Sequence, residues 1–212
     1  MTQTQKTPNA ISFVVYGEAA RRELSPALTA LRKVSTLPVA VITDAKTAHK
    51  DVDHVLFDRR DRGARWSKLN LDTLSQFENT LYMDVDTRVK GDIFAGFNIL
   101  ADGWDFVVTA SHYQAGAVFR HINNESEKTI TLNELANGEP LQLQGGVFFF
   151  AKNERTYKLF QAWREEWERF EDQDQAALLR ALDRAPVRVW LLSQMFNGGE
   201  LVEHLFGRAV EA

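Results

Sequence analysis

The stretch Thr80–Ile93, TLYMDVDTRVKGDI, decides how the rest of the chain is read. Thr80–Met83 is short, apolar and partly aromatic, as a buried strand is. Asp84 and Asp86 follow, one residue apart, where that strand should stop. Aspartate is a poor strand former, and two carboxylates this close repel unless a positive charge lies between them. The pattern is therefore either a solvated turn or a metal site. On a regular strand, residues i and i+2 share a face and lie about 7 Å apart along the chain. At a strand end the chain can turn, and both carboxylates can approach one cation. Mg²⁺ is usually held by one or two carboxylates plus substrate phosphates, and Mn²⁺ also accepts imidazole.

The flanking sequence makes the strand reading consistent. Upstream, Ile11–Tyr16 (ISFVVY), Leu37–Asp44 (LPVAVITD) and His54–Asp58 (HVLFD) are continuous apolar strands. A helical pattern runs from Glu18 to about Lys33, with Pro26 expected to split it. A basic loop, Arg59–Lys68, precedes a helix expected at Leu69–Gln76. Downstream, Asp105–Ala110, Leu141–Lys152 and Val187–Leu192 read as strands, and Glu154–Phe170 and Asp174–Leu182 as helices. Phe160, Trp163, Trp167 and Phe170 fall on one helical face and read as core anchors. The region from about His112 to Asn137 is polar and weakly patterned. Strands alternating with helices in the first half predict an α/β fold: a mixed, mostly parallel central sheet with helices on both faces. Ligands of such sheets bind at the carboxyl ends of the strands. Gly17, Asp44, Asp58 and Asp84 all fall at such ends.

Composition bounds the function. The 212 residues are 44% hydrophobic and 25% charged, which fits a single globular domain over residues 10–212 after a frayed tail at 1–9. A net charge of -4 gives no footprint for nucleic acid. The absence of cysteine excludes disulfides, thiolate metal sites and Cys nucleophiles, and fits a cytoplasmic protein. The N-terminus lacks the apolar core of a signal peptide, and the apolar run Val147–Ala151 is too short to span a bilayer. Any membrane contact is expected to be peripheral.

Two chemistries use an apolar strand ending in Asp-x-Asp. In haloacid-dehalogenase-like phosphatases Asp84 would be the nucleophile and Asp86 the acid. In sugar transfer from a nucleotide sugar, the pair holds a metal against the donor diphosphate. The phosphatase motif usually opens its fold, whereas here other strands precede it. The phosphatase also needs a later acidic pair closing a strand, and Phe170–Asp172 ends a helix instead.

Four segments carry a resemblance. LYMDVDTRVKGDI, QGGVFFF, DQAALLRAL and HLFG resemble, in order and spacing, blocks of the GT-A type nucleotide-diphospho-sugar transferases. The likeness is to the glycogenin-like and bacterial lipopolysaccharide galactosyltransferase branch, and it runs from about Ile11 to Gly207. It implies a GT-A, Rossmann-like, single-domain fold and a metal-dependent hexosyltransferase. Such an enzyme moves a sugar, with a UDP-sugar favoured, to an acceptor hydroxyl on a glycan, lipid-linked sugar or protein, with retention. Asp84, Asp86 and His204 would bind Mn²⁺ or Mg²⁺. Val15, Tyr16 and Gly17 would receive the nucleoside, and Val85 would line the donor site. Lys68 and Arg65 would meet the diphosphate or donor sugar. Gln144, where the family commonly has Asn, would lie beside that sugar with Gly145 and Gly146, whose small size leaves room for a ring. Asp174 and Gln175 would act near the reacting carbon; an acid opening a helix also stabilises the helix dipole. Asn197 and Gly207 would complete the donor or acceptor site, and Trp66 either stacks on a base or belongs to the core. The acceptor would meet the loop 111–137. A nucleotide-sugar-binding protein without turnover is the alternative.

Overall fold

The computed structural model describes residues 8–46, 49–58, 62–111, 124–135 and 140–206. Nine strands are described: β1 Asn9–Val15, β2 Val39–Thr43, β3 His54–Phe57, β4 Asn79–Met83, β5 Thr87–Val89, β6 Phe106–Ala110, β7 Leu143–Ala151, β8 Val189–Leu192 and β9 Val202–His204. The helices are α1 Gly17–Leu31, α2 Gly63–Lys68, α3 Leu71–Leu74, α4 Ala95–Ala101, α5 Glu125–Glu134, α6 Glu154–Glu168 and α7 Asp174–Arg184. The main sheet has the order β3-β2-β1-β4-β7-β6-β8. β7 alone runs against its neighbours; the other pairs are parallel. β5 and β9 form a separate antiparallel ribbon.

The apolar strands become a sheet because both of its faces are covered. One face packs Phe106, Phe148 and Phe150 against Phe160 and Trp163 of α6 and the apolar side of α7. The other packs Phe13, Val41, Leu81 and Phe149 against Leu24 and Leu28 of α1 and Phe97 of α4. Gly96 of α4 lies so close to the Phe149 ring that an added Cβ would fall 2.4 Å from Cζ. Trp163 is fully buried, with ring centroids 5.7 Å from Phe148 and 5.6 Å from Phe160. Its Nε1–H donates to the Asp174 carbonyl at 2.7 Å, so the core residue also fixes the start of α7. Trp163→Ala is expected to lower stability by about 3–5 kcal/mol, read as a fall in the urea midpoint.

Several boundaries differ from expectation. β1 begins at Asn9, and Pro8 already accepts a hydrogen bond from the Asn79 N–H at 2.8 Å. α1 continues through Pro26. Pro26 and Arg22, whose carbonyl loses its partner, are on the exposed side, while Leu24, Ala27, Leu28 and Leu31 bury the other. The break therefore falls on the solvent side, where a freed carbonyl costs little, and packing of the buried side outweighs it. Of the helix expected at Leu69–Gln76 only the short α3 forms, and α2 precedes it. The Asn70 amide turns back to the Trp66 carbonyl at 2.8 Å, and a side chain that bonds backbone in this way interrupts a helix. The expected basic loop is thus partly α2. No helix among the described residues is long and apolar enough to cross a membrane.

Chain order gives the sheet a switch point. From β1 the chain steps outward to β2 and β3, then returns to β4 on the other side of β1. A crevice opens at such a point beyond the carboxyl ends of the strands. The ends of β1 and β4 carry Tyr16–Gly17 and Asp84–Asp86.

Candidate active site

After β4 the chain makes a tight turn. The Thr87 N–H and hydroxyl donate to the Asp84 carbonyl at 3.2 and 2.7 Å, and the Asp84 N–H donates to the Gly146 carbonyl at 2.7 Å. The turn leads into β5, which pairs with β9 so that Thr87 faces His204. This short ribbon brings a histidine from the far end of the chain to the two aspartates. His204 Nε2 lies 3.1 Å from Asp86 Oδ1 and 3.7 Å from Asp84 Oδ2. The ligand atoms of Asp84, Asp86 and His204 all lie within 4.8 Å of one another. Metal–oxygen bonds of about 2.1 Å in an octahedron put neighbouring ligands about 3 Å apart, so these separations suit a divalent cation.

The cluster is held from outside. The Tyr82 hydroxyl donates to Asp84 Oδ1 at 2.5 Å, leaving Asp84 Oδ2 toward His204. Burial pushes the Asp84 carboxyl above its usual range; Lys68, His204 and Tyr82 oppose this, and the Asp86 charge adds to it. A carboxylate in that position favours a cation. Burial and then the Asp84 charge push the Tyr82 phenol well above its ordinary value, so Tyr82 remains a donor. The His204 ring stacks on Phe206 with centroids 4.2 Å apart, and its Nδ1 lies 2.6 Å from Asn197 Oδ1.

Beside the cluster is a buried ion pair. Lys68 and Asp174 are 7% and 6% exposed, so neither charge is well hydrated; Lys68 Nζ bonds Asp174 Oδ2 and lies 4.0 Å from Asp84 Oδ1. Burial pulls the Lys68 ammonium down, but Asp174 and then Asp84 outweigh it and hold it above its ordinary value. Burial would raise Asp174; Lys68 reverses this and keeps it below the usual carboxylate range.

The glycine pair lets the protein's own charged groups come close. A Cβ on Gly146 would lie 2.3 Å from His204 Cε1 and 2.8 Å from Asp84 Oδ2. One on Gly145 would lie 3.0 Å from Lys68 Nζ and 3.2 Å from Asp174 Oδ2. The missing side chains make room for the protein's own charged groups. Gly146→Ala should therefore displace His204, which Phe206 and Asn197 restrain, and weaken Mn²⁺ binding at least about tenfold by titration calorimetry. Gly145→Ala meets the Lys68–Asp174 pair at 3.0 and 3.2 Å, a milder contact than the one at Gly146, and should weaken Mn²⁺ binding less.

The remaining expected residues divide. Gln144 is buried, and its Oε1 accepts from Gln175 Nε2 at 3.1 Å, so these two form one amide unit beside Gly145. The Tyr16 hydroxyl meets Ser67 Oγ at 2.7 Å, and that hydroxyl donates to Asp58 Oδ2 at 2.7 Å. Burial chiefly raises the Tyr16 phenol, with the Asp58 and Asp44 charges adding to it. Gly17 has φ +76°, a conformation that favours glycine, and its N–H donates to Asp44 Oδ2 at 3.3 Å. The Val15 side chain is wholly buried in the core and offers nothing to a ligand; Val85 also packs against the core. Arg65 is exposed and donates to the Asp172 carbonyl at 2.5 Å, at the entry to α7. Arg62 pairs with Glu168 and Glu171 and lies over Trp66, which packs against the core. Gly207, Arg59 and most of the loop 111–137 lie outside the described residues. Tyr82 and Phe206 were not anticipated. Tyr82 was legible, because a residue two before Asp84 on a strand shares its face. Among the described residues the third member of the cluster is His204, not the later acidic pair that the phosphatase reading needs.

No protein-family model and no curated protein matches the chain. Solved structures do. The bifunctional glycosyltransferase WbbM is similar with a TM-score of 0.61 and 13% identity over 92% of this chain. This chain spans only 40% of WbbM. The galactosyltransferase LgtC, in complex with donor and acceptor sugar analogues, is similar with a TM-score of 0.60 and 14% identity, covering 87% of this chain and 73% of its own. Mouse xyloside xylosyltransferase 1 gives 0.60 and 9%, covering 88% and 86%. The chain therefore has the GT-A fold.

Proposed function

We propose that the chain is a metal-dependent glycosyltransferase that moves a sugar from a nucleotide-diphosphate donor, with a UDP-sugar favoured, to an acceptor hydroxyl, with retention. The observation that carries this reading is the convergence of Asp84, Asp86 and His204 at the sheet's switch point, beside the buried Lys68–Asp174 pair. The GT-A fold shared with WbbM, LgtC and xyloside xylosyltransferase 1 supports it.

Asp84 Oδ2, Asp86 Oδ1 and His204 Nε2 would hold Mn²⁺ or Mg²⁺. Such an ion supplies Lewis-acid stabilisation of the charge that grows on the departing diphosphate. The residues do the rest. Tyr82 keeps Asp84 Oδ1 occupied, so the other oxygen faces the cluster. Lys68, next to Asp84, adds a fixed ammonium for the leaving phosphates, in a setting where a preorganised charge outweighs one in water. Asp174 is kept ionised, and its negative charge would stabilise an oxocarbenium-like sugar. Its salt bridge to Lys68 also draws on the lone pairs a nucleophile would use, which favours electrostatic stabilisation over covalent attack. The Gln144–Gln175 amides would bond sugar hydroxyls, and Tyr16 with Gly17 would receive the nucleoside. The acceptor would approach from the side of the loop 111–137.

A thermal-shift panel of nucleotide sugars with and without Mn²⁺ tests this, because a ligand that binds the native state raises its apparent stability. A shift that needs both Mn²⁺ and a UDP-sugar, followed by transfer or hydrolysis, is expected. Binding without turnover leaves a nucleotide-sugar-binding protein, and no shift with any donor contradicts both.

A further inference from the structure

We infer that Asn197 is a positioning residue that sets the tautomer of His204 and so makes its Nε2 a ligand. The inference rests on the metal reading above. Asn197 is 1% exposed, and its Oδ1 lies 2.6 Å from His204 Nδ1. A carboxamide oxygen only accepts, so the proton of this bond is on Nδ1. A neutral imidazole has one N–H, and Nε2 is left with a lone pair. That lone pair points among carboxylate oxygens 3.1 and 3.7 Å away, an arrangement that is repulsive until a cation lies between them. Were the amide turned over, Nδ2 would donate to Nδ1. The ring proton would then move to Nε2 and close a hydrogen bond to Asp86 in place of a metal. The orientation of that buried amide thus decides whether a neutral His204 ring turns a lone pair or an N–H toward the carboxylates.

The local chain is built to hold that amide. Ser193 caps a 3-10 turn at Gln194–Phe196 by accepting from the Met195 N–H at 3.3 Å. Gly198, at φ +96°, then reverses the chain, and the Gly198 and Gly199 N–H groups both donate to the Val202 carbonyl. A Cβ on Gly199 would lie 2.5 Å from Met195 Cα, so the turn closes only without one. The sequence FNGG therefore folds Asn197 under β9, against the histidine. Asn197 Nδ2 is buried without a hydrogen-bond partner among the described residues, so the contact to Nδ1 is the side-chain bond seen there. Phe206 on the ring face and Gly146 at the ring edge leave His204 little rotation.

The experiment is Mn²⁺ binding, followed by electron paramagnetic resonance of the free ion, in wild type, Asn197→Leu and Asn197→Asp. Asn197→Leu is expected to raise the Mn²⁺ Kd about 10–100-fold. Asn197→Asp keeps an acceptor for Nδ1–H and should bind as wild type does. Alongside, ¹⁵N spectra of histidine-labelled wild type, assigned by the signal missing in His204→Ala, should show the His204 proton on Nδ1 with Mg²⁺ present. Leucine binding as well as asparagine, aspartate binding as poorly as leucine, or a proton on Nε2 in the loaded protein would each overturn the inference. Wild type that binds no Mn²⁺ removes the metal reading itself; the spectrum of the metal-free protein, with a neutral ring protonated on Nδ1 or on Nε2, then decides the tautomer alone.

Discussion

Asp86→Ala is expected to lower metal-dependent sugar transfer by about 10²–10³-fold, the scale for removing one fixed electrostatic stabiliser of the transition state. The loss should be specific to the site and not a consequence of unfolding. The Asp86 backbone ties the fold together: its carbonyl accepts from the Leu205 N–H at 3.0 Å and joins the start of β5 to the end of β9. Alanine keeps that bond. The carboxylate faces Nε2 of His204 and stands close to the charge of Asp84. The Mn²⁺-dependent thermal shift should disappear in the variant, and its metal-free melting curve shows that it is folded. Equal Mn²⁺-dependent activity in both proteins would take the ligand role from Asp86. Asp84→Ala is the less clean experiment, because it also strands the Tyr82 hydroxyl and a neighbour of Lys68.

Lys68→Met is expected to destabilise the protein by about 3–5 kcal/mol, the usual cost of removing one partner from a buried pair, and to reverse a pH dependence. In wild type the Asp174 carboxyl is held below its unfolded value. Its pairing therefore contributes fully above an unfolded pKa of about 3.9 and is lost as pH falls through the lower folded value. Lys68 is held above its unfolded value. Its contribution is full below about 10.4 and is lost as pH rises through the folded value. Between these limits the pair is intact, and neither member makes stability slope with pH. With methionine at position 68, burial acts on Asp174 with its main opposing charge gone, and the carboxyl moves above its unfolded value. Such a group gains stability as pH falls. The urea midpoint of Lys68→Met should accordingly approach that of wild type on going from pH 7 to pH 5. A constant difference between the two proteins across that range would mean that Asp174 does not depend on Lys68.

The parts of the fold legible in sequence are those whose signal is local. Continuous apolar strands at Ile11–Val15, Val39–Ile42 and Leu81–Met83 are buried on both faces, so their composition alone identifies them. The face of α6 was equally plain for Phe160, Trp163 and Trp167, which fall on its buried side; Phe170, expected with them, lies beyond the end of α6 and is only partly buried. What escaped depends on partners far away in the chain. β5 and β9 have three residues each and exist only as each other's partner, yet they are what delivers His204 to Asp86. α5 lacked an apolar pattern because its buried side is polar: Glu127 and Thr131 face Arg180, whose guanidinium bonds both as well as Glu166. Its start was readable, since Asn124 accepts from the Ser126 and Glu127 N–H groups as an N-cap residue does. α4 was missed because Gly96, a poor helix former, is there for the close approach of Phe149.

The candidate site divides the same way. The Asp-x-Asp pair was readable from its own chemistry, whereas His204, Lys68 and Asp174 came from the family resemblance; the five lie close together. The partners that hold them could not be ranked from sequence, because a hydrogen bond such as Asn197 to His204 carries no spacing rule. The same limit hid the packing at Gly145 and Gly146: the sequence says only that a side chain is missing, not that the charged groups of His204, Asp84, Lys68 and Asp174 lie against the space.

The most direct measurement is pulsed electron paramagnetic resonance of Mn²⁺ bound to wild type and to His204→Ala, with and without UDP. A cation held by Asp84, Asp86 and His204 should show modulation from one directly bound imidazole nitrogen in wild type, and that modulation should be absent in His204→Ala. Mn²⁺ that binds without nitrogen coupling, or fails to bind at millimolar concentration with UDP present, would contradict a metal centre at the end of β4.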